Sequence, residues 1–186
     1  MKNLFEKVGL PKGHVNPTLA YHEPTASIIA QTQPLKSVLP GHRLSFRRTS
    51  ETRYRPVGNF PAEISIHSFA LHARLPLLYF ITYVWSEHVN GPVGGNWDAL
   101  HCFNLETLRS KIIAHKGELV APAGCQSSWL RNLFSLSDDG KVLFCKAAFQ
   151  YEKDPVHSHP VHSCLARLSL SDRKLEVISR LEAIFA

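Results

Sequence analysis

Leu136-Ser137-Asp138-Asp139-Gly140-Lys141-Val142-Leu143-Phe144-Cys145 carries the end of one apolar run, a polar turn and the start of another. Leu133 to Leu136 reads as a strand. Ser137 to Lys141 reads as a tight turn in which Gly140 can supply positive φ. Val142 to Phe149 reads as the partner strand. The same arrangement stands 65 residues earlier, at Leu71-His72 through Leu78-Tyr79-Phe80, and a further 50 residues earlier, at Tyr21-His22 through Ile28-Ile29-Ala30. The 65-residue offset runs without a gap from about Ile64 to Ile113. It lays Phe69 on Phe134, Leu71 on Leu136, Leu78 on Leu143, Leu100 on Leu165, Leu105 on Leu170 and Ile113 on Ile178. Apolar spacing that recurs at this scale marks an array of like supersecondary units.

Each unit continues past its first hairpin. Ala99 to Leu105 and Cys164 to Leu170 predict a third strand, and Lys111 to Ala114 and Leu175 to Ser179 a fourth. The turns between them are Glu106-Thr107-Leu108-Arg109 and Ser171-Asp172-Arg173-Lys174. Leu77 to Trp85 is almost wholly apolar, as suits a strand buried on both faces. In the first copy, Pro17 to Tyr21 pairs with Ser27 to Gln31, and Arg43 to Arg48 with Thr52 to Val57. Its shorter loop, Thr32 to His42, accounts for most of the difference between the two offsets. Residues 1–16 read as an irregular leader and 17–186 as one β-repeat domain, with units at 17–57, 64–114 and 129–181. Leu175 to Phe185 could instead form a short helix.

A four-stranded unit with a Ser-Asp-Asp-Gly-Lys turn before a Val-Leu-Phe strand resembles a β-propeller blade. It is most similar to the WD40-like blades of the TolB type, in which an SxDGK turn precedes the second strand. The resemblance covers roughly residues 17–181. Glu23-Pro24-Thr25-Ala26 and Ala73-Arg74-Leu75-Pro76 depart from the turn, and Trp97-Asp98 precedes a third strand instead of ending one. The implied fold is all-β: repeated four-stranded antiparallel sheets in a partial β-propeller-like array. A β-sandwich built from the same hairpins is the alternative. Three blades are fewer than the usual four to eight. An open stack exposes sheet edges and apolar faces, so self-association or completion by a protein partner is expected.

The chain has 186 residues, 44% hydrophobic and 19% charged, which is a globular composition with one sizeable core. Its longest apolar run, Leu75 to Trp85, falls short of the ~20 residues that span a bilayer. Met1 to Lys7 carries no continuous apolar segment of the secretory kind. Cys102, Cys125, Cys145 and Cys164 form no CxxC and read as free thiols of a cytoplasmic protein. Much of the net charge of +6 sits in Arg43, Arg47, Arg48, Arg53 and Arg55. That cluster reads first as the solvated face of a hairpin. Nucleic-acid binding is a lesser alternative, because no aromatic interleaving accompanies it.

In a propeller-like stack the loops joining second to third strands emerge on the same face as the connectors between blades. This face groups 86–97, 115–129 and 151–162, where binding is usually placed. The leading function is a non-catalytic binding or assembly module using these loops, with His88, Asn90, Trp97 and Trp129 as ligand-binding candidates for a protein or carbohydrate partner. His157, His159 and His162 alternate along an extended loop, and with Asp154 they could hold a divalent metal. No cofactor is required by the leading reading. The alternative is a metal-dependent enzyme acting on a polysaccharide or other anionic substrate through residues 154–162. No GxSxG occurs, and no carboxylate pair stands out.

Overall fold

The computed structural model describes residues 13–35, 41–85, 95–151 and 161–180. They form three four-stranded antiparallel sheets, each in sequence order. The first holds β1 (His14–His22), β2 (Ser27–Pro34), β3 (Arg43–Arg48) and β4 (Arg55–Pro56). The second holds β5 (Ile64–Leu71), β6 (Leu77–Trp85), β7 (Gly95–Asn104) and β8 (Ser110–His115). The third holds β9 (Cys125–Leu136), β10 (Val142–Tyr151), β11 (Val161–Ser169) and β12 (Leu175–Arg180). Among the described residues there is no α-helix.

The sequence repeat is a repeat of ladder register. Leu71 faces Leu78 as Leu136 faces Leu143 and as Tyr21 faces Ile28. Leu78 faces Phe103 as Leu143 faces Leu168. The bulge between Leu100 and His101 recurs between Leu165 and Ala166. The turn before the fourth strand places Leu108 at φ 58° and Arg173 at φ 60°, two side chains held in the left-handed region at equivalent positions. Gly140 takes φ 69° in the turn assigned to it.

Several boundaries differ from expectation. β1 begins at His14, inside the stretch read as irregular, because a register shift between Val15 and Thr18 lets the pairing pass Pro17, which has no N–H to donate. β4 shrinks to Arg55–Pro56, where Pro56 likewise cannot extend the ladder. β9 starts at Cys125, well before Leu133, and three register shifts against β10 let so long a strand twist. Residues from Leu175 continue as strand to Arg180, not as helix.

The sheets stack face to face, and the period of two along β6 explains how. Leu78 and Phe80 point to one side and join Ile29, Leu44 and Phe46 of the first sheet. Tyr79 and Ile81 point to the other and join Leu143, Cys145 and Phe149 of the third. Leu78, Phe80 and Ile81 are fully buried. Three stacked sheets with two seams exclude the two-layer sandwich and make the array propeller-like and open.

Side chains also cross the seams to reach the bulged inner strands. Gln31 Nε2 donates to the carbonyls of Ile66 (2.8 Å) and His67 (3.0 Å), beside the β5 bulge. Tyr83 Oη donates to Leu130 O at 2.5 Å, beside a β9 bulge. A bulge frees backbone groups from the ladder, and a neighbouring blade satisfies them. His22 and His72 hold structural places: His22 Nε2 donates to His72 O at 3.0 Å, and His72 Nδ1 accepts from the N–H groups of Arg74 and Leu75. The outer face of the third sheet is mixed, not the apolar face expected of an open stack. Phe144 there is paired across the ladder with Arg167, whose guanidinium lies 2.5 Å from Glu176.

Candidate functional site

The seam between the second and third sheets opens at one end into a cleft of about 700 Å³, within the range of small-ligand sites. Three elements shape it. β7 brings Trp97 opposite Tyr83, just beyond a register shift at Thr82. β10 brings Gln150 from the far side. The connector from β8 to β9 turns at Gly117 (φ 86°) and Gly124 (φ 79°), a conformation that favours glycine.

That connector is pinned to the third sheet. Val120 N donates to Arg173 O and Leu175 N to Val120 O, both at 2.9 Å. Glu118 adds an ion pair with Arg173 at 3.0 Å. Pinned there, the connector presents Lys116 to the cleft, and β9 then enters with Ser127, Trp129 and Arg131 on the lining. Ser127 Oγ donates to Gln150 Oε1 at 2.9 Å, which fixes that amide.

The lining has an electrostatic sense. It contains two cations, Lys116 and Arg131, two tryptophans and no carboxylate among the described residues. Glu118, the nearest acid on the connector, has its Oε2 committed to His115 N (2.8 Å) and to Arg173. The His115 N–H, more than Arg173, holds the Glu118 carboxyl below the ordinary range. Two buried donors, Trp97 Nε1 and Arg131 Nε, find no acceptor among the described residues. Trp97 is 3% exposed. A buried donor left unpaired costs about 1–3 kcal/mol, so the pair marks a place where the fold gives up stability. The Arg131 charge reaches its neighbours: burial pushes the Tyr83 hydroxyl up to about 12 with Arg131 pulling against it, and burial, then His42, then Arg131 push His67 down.

The seam between the first and second sheets is built differently. Its cavity, of about 340 Å³, is lined largely by apolar groups such as Leu44, Val57, Phe60 and Ile66, with Tyr54 Oη, which has no partner among the described residues, at its wall. Arg43 does not point into space there. Its guanidinium donates to the carbonyls of Ile64, Pro61 and Ala62, stapling the connector between the sheets.

The residues expected to bind fall into four groups. Trp97 and Trp129, from different blades, both line the cleft. His88, Asn90, Asp154, His157 and His159 lie outside the described residues. His162 sits on β11 with its ring 5.8 Å from that of Tyr151. The basic cluster divides: Arg43 binds carbonyls, and Arg47, 8% exposed, donates to Glu51 O at 2.8 Å and covers the Tyr54 ring. Arg55 pairs with Glu51 at 2.5 Å, while Arg48 and Arg53 are exposed. Arg131 was not among the candidates, yet a signal existed. Ile66 stands 65 residues before it, so the repeat replaces an apolar side chain by a guanidinium. Among the described residues no three His, Cys, Asp or Glu side chains converge as metal ligands. The cleft itself offers donors and cations, which do not fit a metal ion.

No protein-family model matches the sequence, and no curated protein matches it. Among solved structures the chain is similar to an oligogalacturonate lyase in complex with manganese, at 13% identity and a TM-score of 0.53, over 91% of this chain and 37% of that one. It is also similar to an oligogalacturonate lyase from Vibrio parahaemolyticus, at 10% identity and a TM-score of 0.52, over 88% and 36% of the two chains. These likenesses bear on the fold, which is β-propeller-like in both comparisons. The chain spans little more than a third of the length of either structure.

Proposed function

We propose that the cleft between the second and third sheets binds an acidic oligosaccharide. The observation that carries this reading is the joint placement of Trp129 and Trp97 with Lys116 and Arg131 on a lining that has no carboxylate among the described residues. A pyranose ring has an apolar face that packs on an indole and a rim of hydroxyls that needs hydrogen-bond partners. Trp129 is half-buried and can serve as the platform. Ser127, Gln126 and Gln150 supply polar groups along the same wall. The two cations then favour a sugar that carries negative charge. The structural relatives are named for oligogalacturonate, a chain of acidic sugars, and that agrees with the chemistry of the lining.

In this reading the described residues bind and orient the saccharide. The second reading is a metal-dependent enzyme acting on the same class of polymer through Asp154, His157, His159 and His162. Two observations favour asking it. One relative is a manganese complex. β10 also runs from Gln150, on the cleft, directly toward residues 152–160, and β11 returns from them at Val161. The described lining of the cleft, with its two cations, does not suit a metal ion.

Calorimetric titration of the purified chain with short oligogalacturonates tests the first reading. Saturable binding that Trp129→Ala abolishes is expected. The absence of binding to any acidic oligosaccharide would overturn it. Elemental analysis separates the two readings: stoichiometric manganese, lost on His159→Ala, favours the enzyme.

A further inference from the structure

We infer that the bulged first strands of the second and third sheets form a second acid-binding position beside the cleft, where His67 and the terminal nitrogens of Arg131 hold the next carboxylate of a bound acidic chain. This rests on the oligosaccharide reading and extends it beyond a single sugar. β5 and β9 carry bulges one residue apart in the repeat. His67 is the unpaired residue between Ile66 and Ser68, and Arg131 the one between Leu130 and Asn132. A bulge re-aims a side chain and is common beside binding sites. In both blades the residue so placed is basic.

Tyr83 links the two. Its ring lies 4.8 Å from the His67 ring, and its hydroxyl donates at 2.5 Å to the carbonyl of Leu130, the residue before Arg131. His42 reaches the same rim from the first sheet. Its N–H donates to Ser65 Oγ at 2.9 Å, and its carbonyl accepts from Ile66 N at 3.0 Å. His67 is exposed. Arg131 is half-buried, and of its guanidinium only Nε is shut away without a partner among the described residues. The ligand contact is therefore assigned to Nη1 and Nη2. Arg131 lines the cleft while His67 and Tyr83 do not, so its guanidinium is the wall that cleft and rim share.

The charges define the ligand. Burial, then His42, then Arg131 hold the His67 pKa below its ordinary value. Both neighbours are basic, and among the described residues no carboxylate acts on the ring. Protonating His67 thus means adding a like charge to the rim. A bound carboxylate supplies the opposite charge and favours the imidazolium. Binding then takes up a proton, and by reciprocity it tightens as the pH falls. An acidic sugar stays ionised above about pH 5, so the change belongs to the protein.

The test titrates the purified chain calorimetrically with a short oligogalacturonate and with monomeric galacturonate, at about pH 7.5 and about pH 5.5, which bracket imidazole protonation. Thermal melts in both buffers confirm that the chain is folded. The oligomer should bind at least about fivefold tighter at the lower pH, the scale on which a charge-assisted hydrogen bond exceeds a neutral one. The monomer, held by the cleft, should gain less. Titrations in two buffers of different ionisation enthalpy should show net proton uptake with the oligomer. His67→Gln keeps a hydrogen-bonding side chain at an exposed position and cannot take the proton. It should remove both the pH gain and the uptake while leaving the affinity at the higher pH nearly unchanged, a pattern that a structural role would not produce. Oligomer affinity independent of pH in the native chain would overturn the inference and leave the oligosaccharide reading intact. A pH gain retained in His67→Gln would also overturn it. Failure of the oligomer to bind at either pH would remove both.

Discussion

Between the first and second sheets, Arg43 turns inward and gives its hydrogen bonds to three connector carbonyls. Between the second and third sheets, Arg131 is on the lining of a cleft, and its buried Nε, like Trp97 Nε1, has no hydrogen-bond partner among the described residues. Each seam buries an apolar cluster, the larger one between the second and third sheets, and β6 contributes to both. What separates them is the use of a basic residue. In one seam it satisfies the backbone and closes the junction. In the other its Nε is buried with no partner among the described residues.

The largest effect should come from the shared apolar framework. Phe80→Ala removes a fully buried ring from the closed seam and should cost about 3–5 kcal/mol of unfolding free energy, read by urea denaturation. Since Phe80 faces away from the cleft, oligosaccharide affinity at a temperature where the variant is folded should be unchanged. A matching loss of affinity would show that the two seams are not separable.

Acid should attack the same seam. His101 stacks on Phe80 with ring centroids 4.9 Å apart and bonds to Thr82 Oγ1 at 3.1 Å. Burial pushes its pKa from 6.5 down to about 4, with Asp98 pulling the other way. Below pH 6.5 the unfolded chain takes up a proton that the folded chain refuses until about pH 4. Stability is therefore full above pH 6.5 and falls through this window, by roughly 3 kcal/mol from this group. Denaturant titrations at several pH values should show the decline, and His101→Gln should flatten it. An unchanged slope in the variant would assign the decline to His14 and His67, whose pKa values burial also lowers.

The basic residues themselves give the most direct test. Arg43→Ala leaves the connector carbonyls without their donor and should cost about 2 kcal/mol. Arg131→Ala should cost less stability, because its Nε has no acceptor among the described residues, and should weaken binding of an acidic oligosaccharide. Thermal melts and ligand titrations on the two variants should thus give opposite patterns. Similar stability losses in both would mean that Arg131 is a structural residue like Arg43.

The smallest effect concerns a turn at the open seam. A Cβ on Gly140 would lie 3.1 Å from His72 Cδ2 and Nε2, and φ there is 69°. Gly140→Ala should cost about 1–2 kcal/mol, seen as a lower melting temperature with ligand affinity intact.

Much of the architecture was legible along the chain. The interval from Leu71 to Leu136 predicted a repeated hairpin, and the two ladders share register, bulge and turn conformation. Leu77 to Trp85 was readable as a strand buried on both faces and occupies that place. The site was half legible. Trp97 and Trp129 were candidates because loops and connectors must emerge on one face. Arg43 and Arg47 looked like solvated cations, and nothing in their spacing showed that carbonyls and a tyrosine ring would capture them. Arg131 lay inside a strand pattern, where a basic residue ordinarily faces solvent.

The division has a physical cause. Strand, turn and repeat follow from apolar periodicity and from backbone conformations that a few residues carry, and both are written locally. Whether a guanidinium meets a carbonyl, a carboxylate or open space depends on which blade stacks against it and on where a bulge aims it. Arg43 and Arg131 have the same side chain. Only the packing of sheet on sheet gave one a partner and left the other facing a cleft.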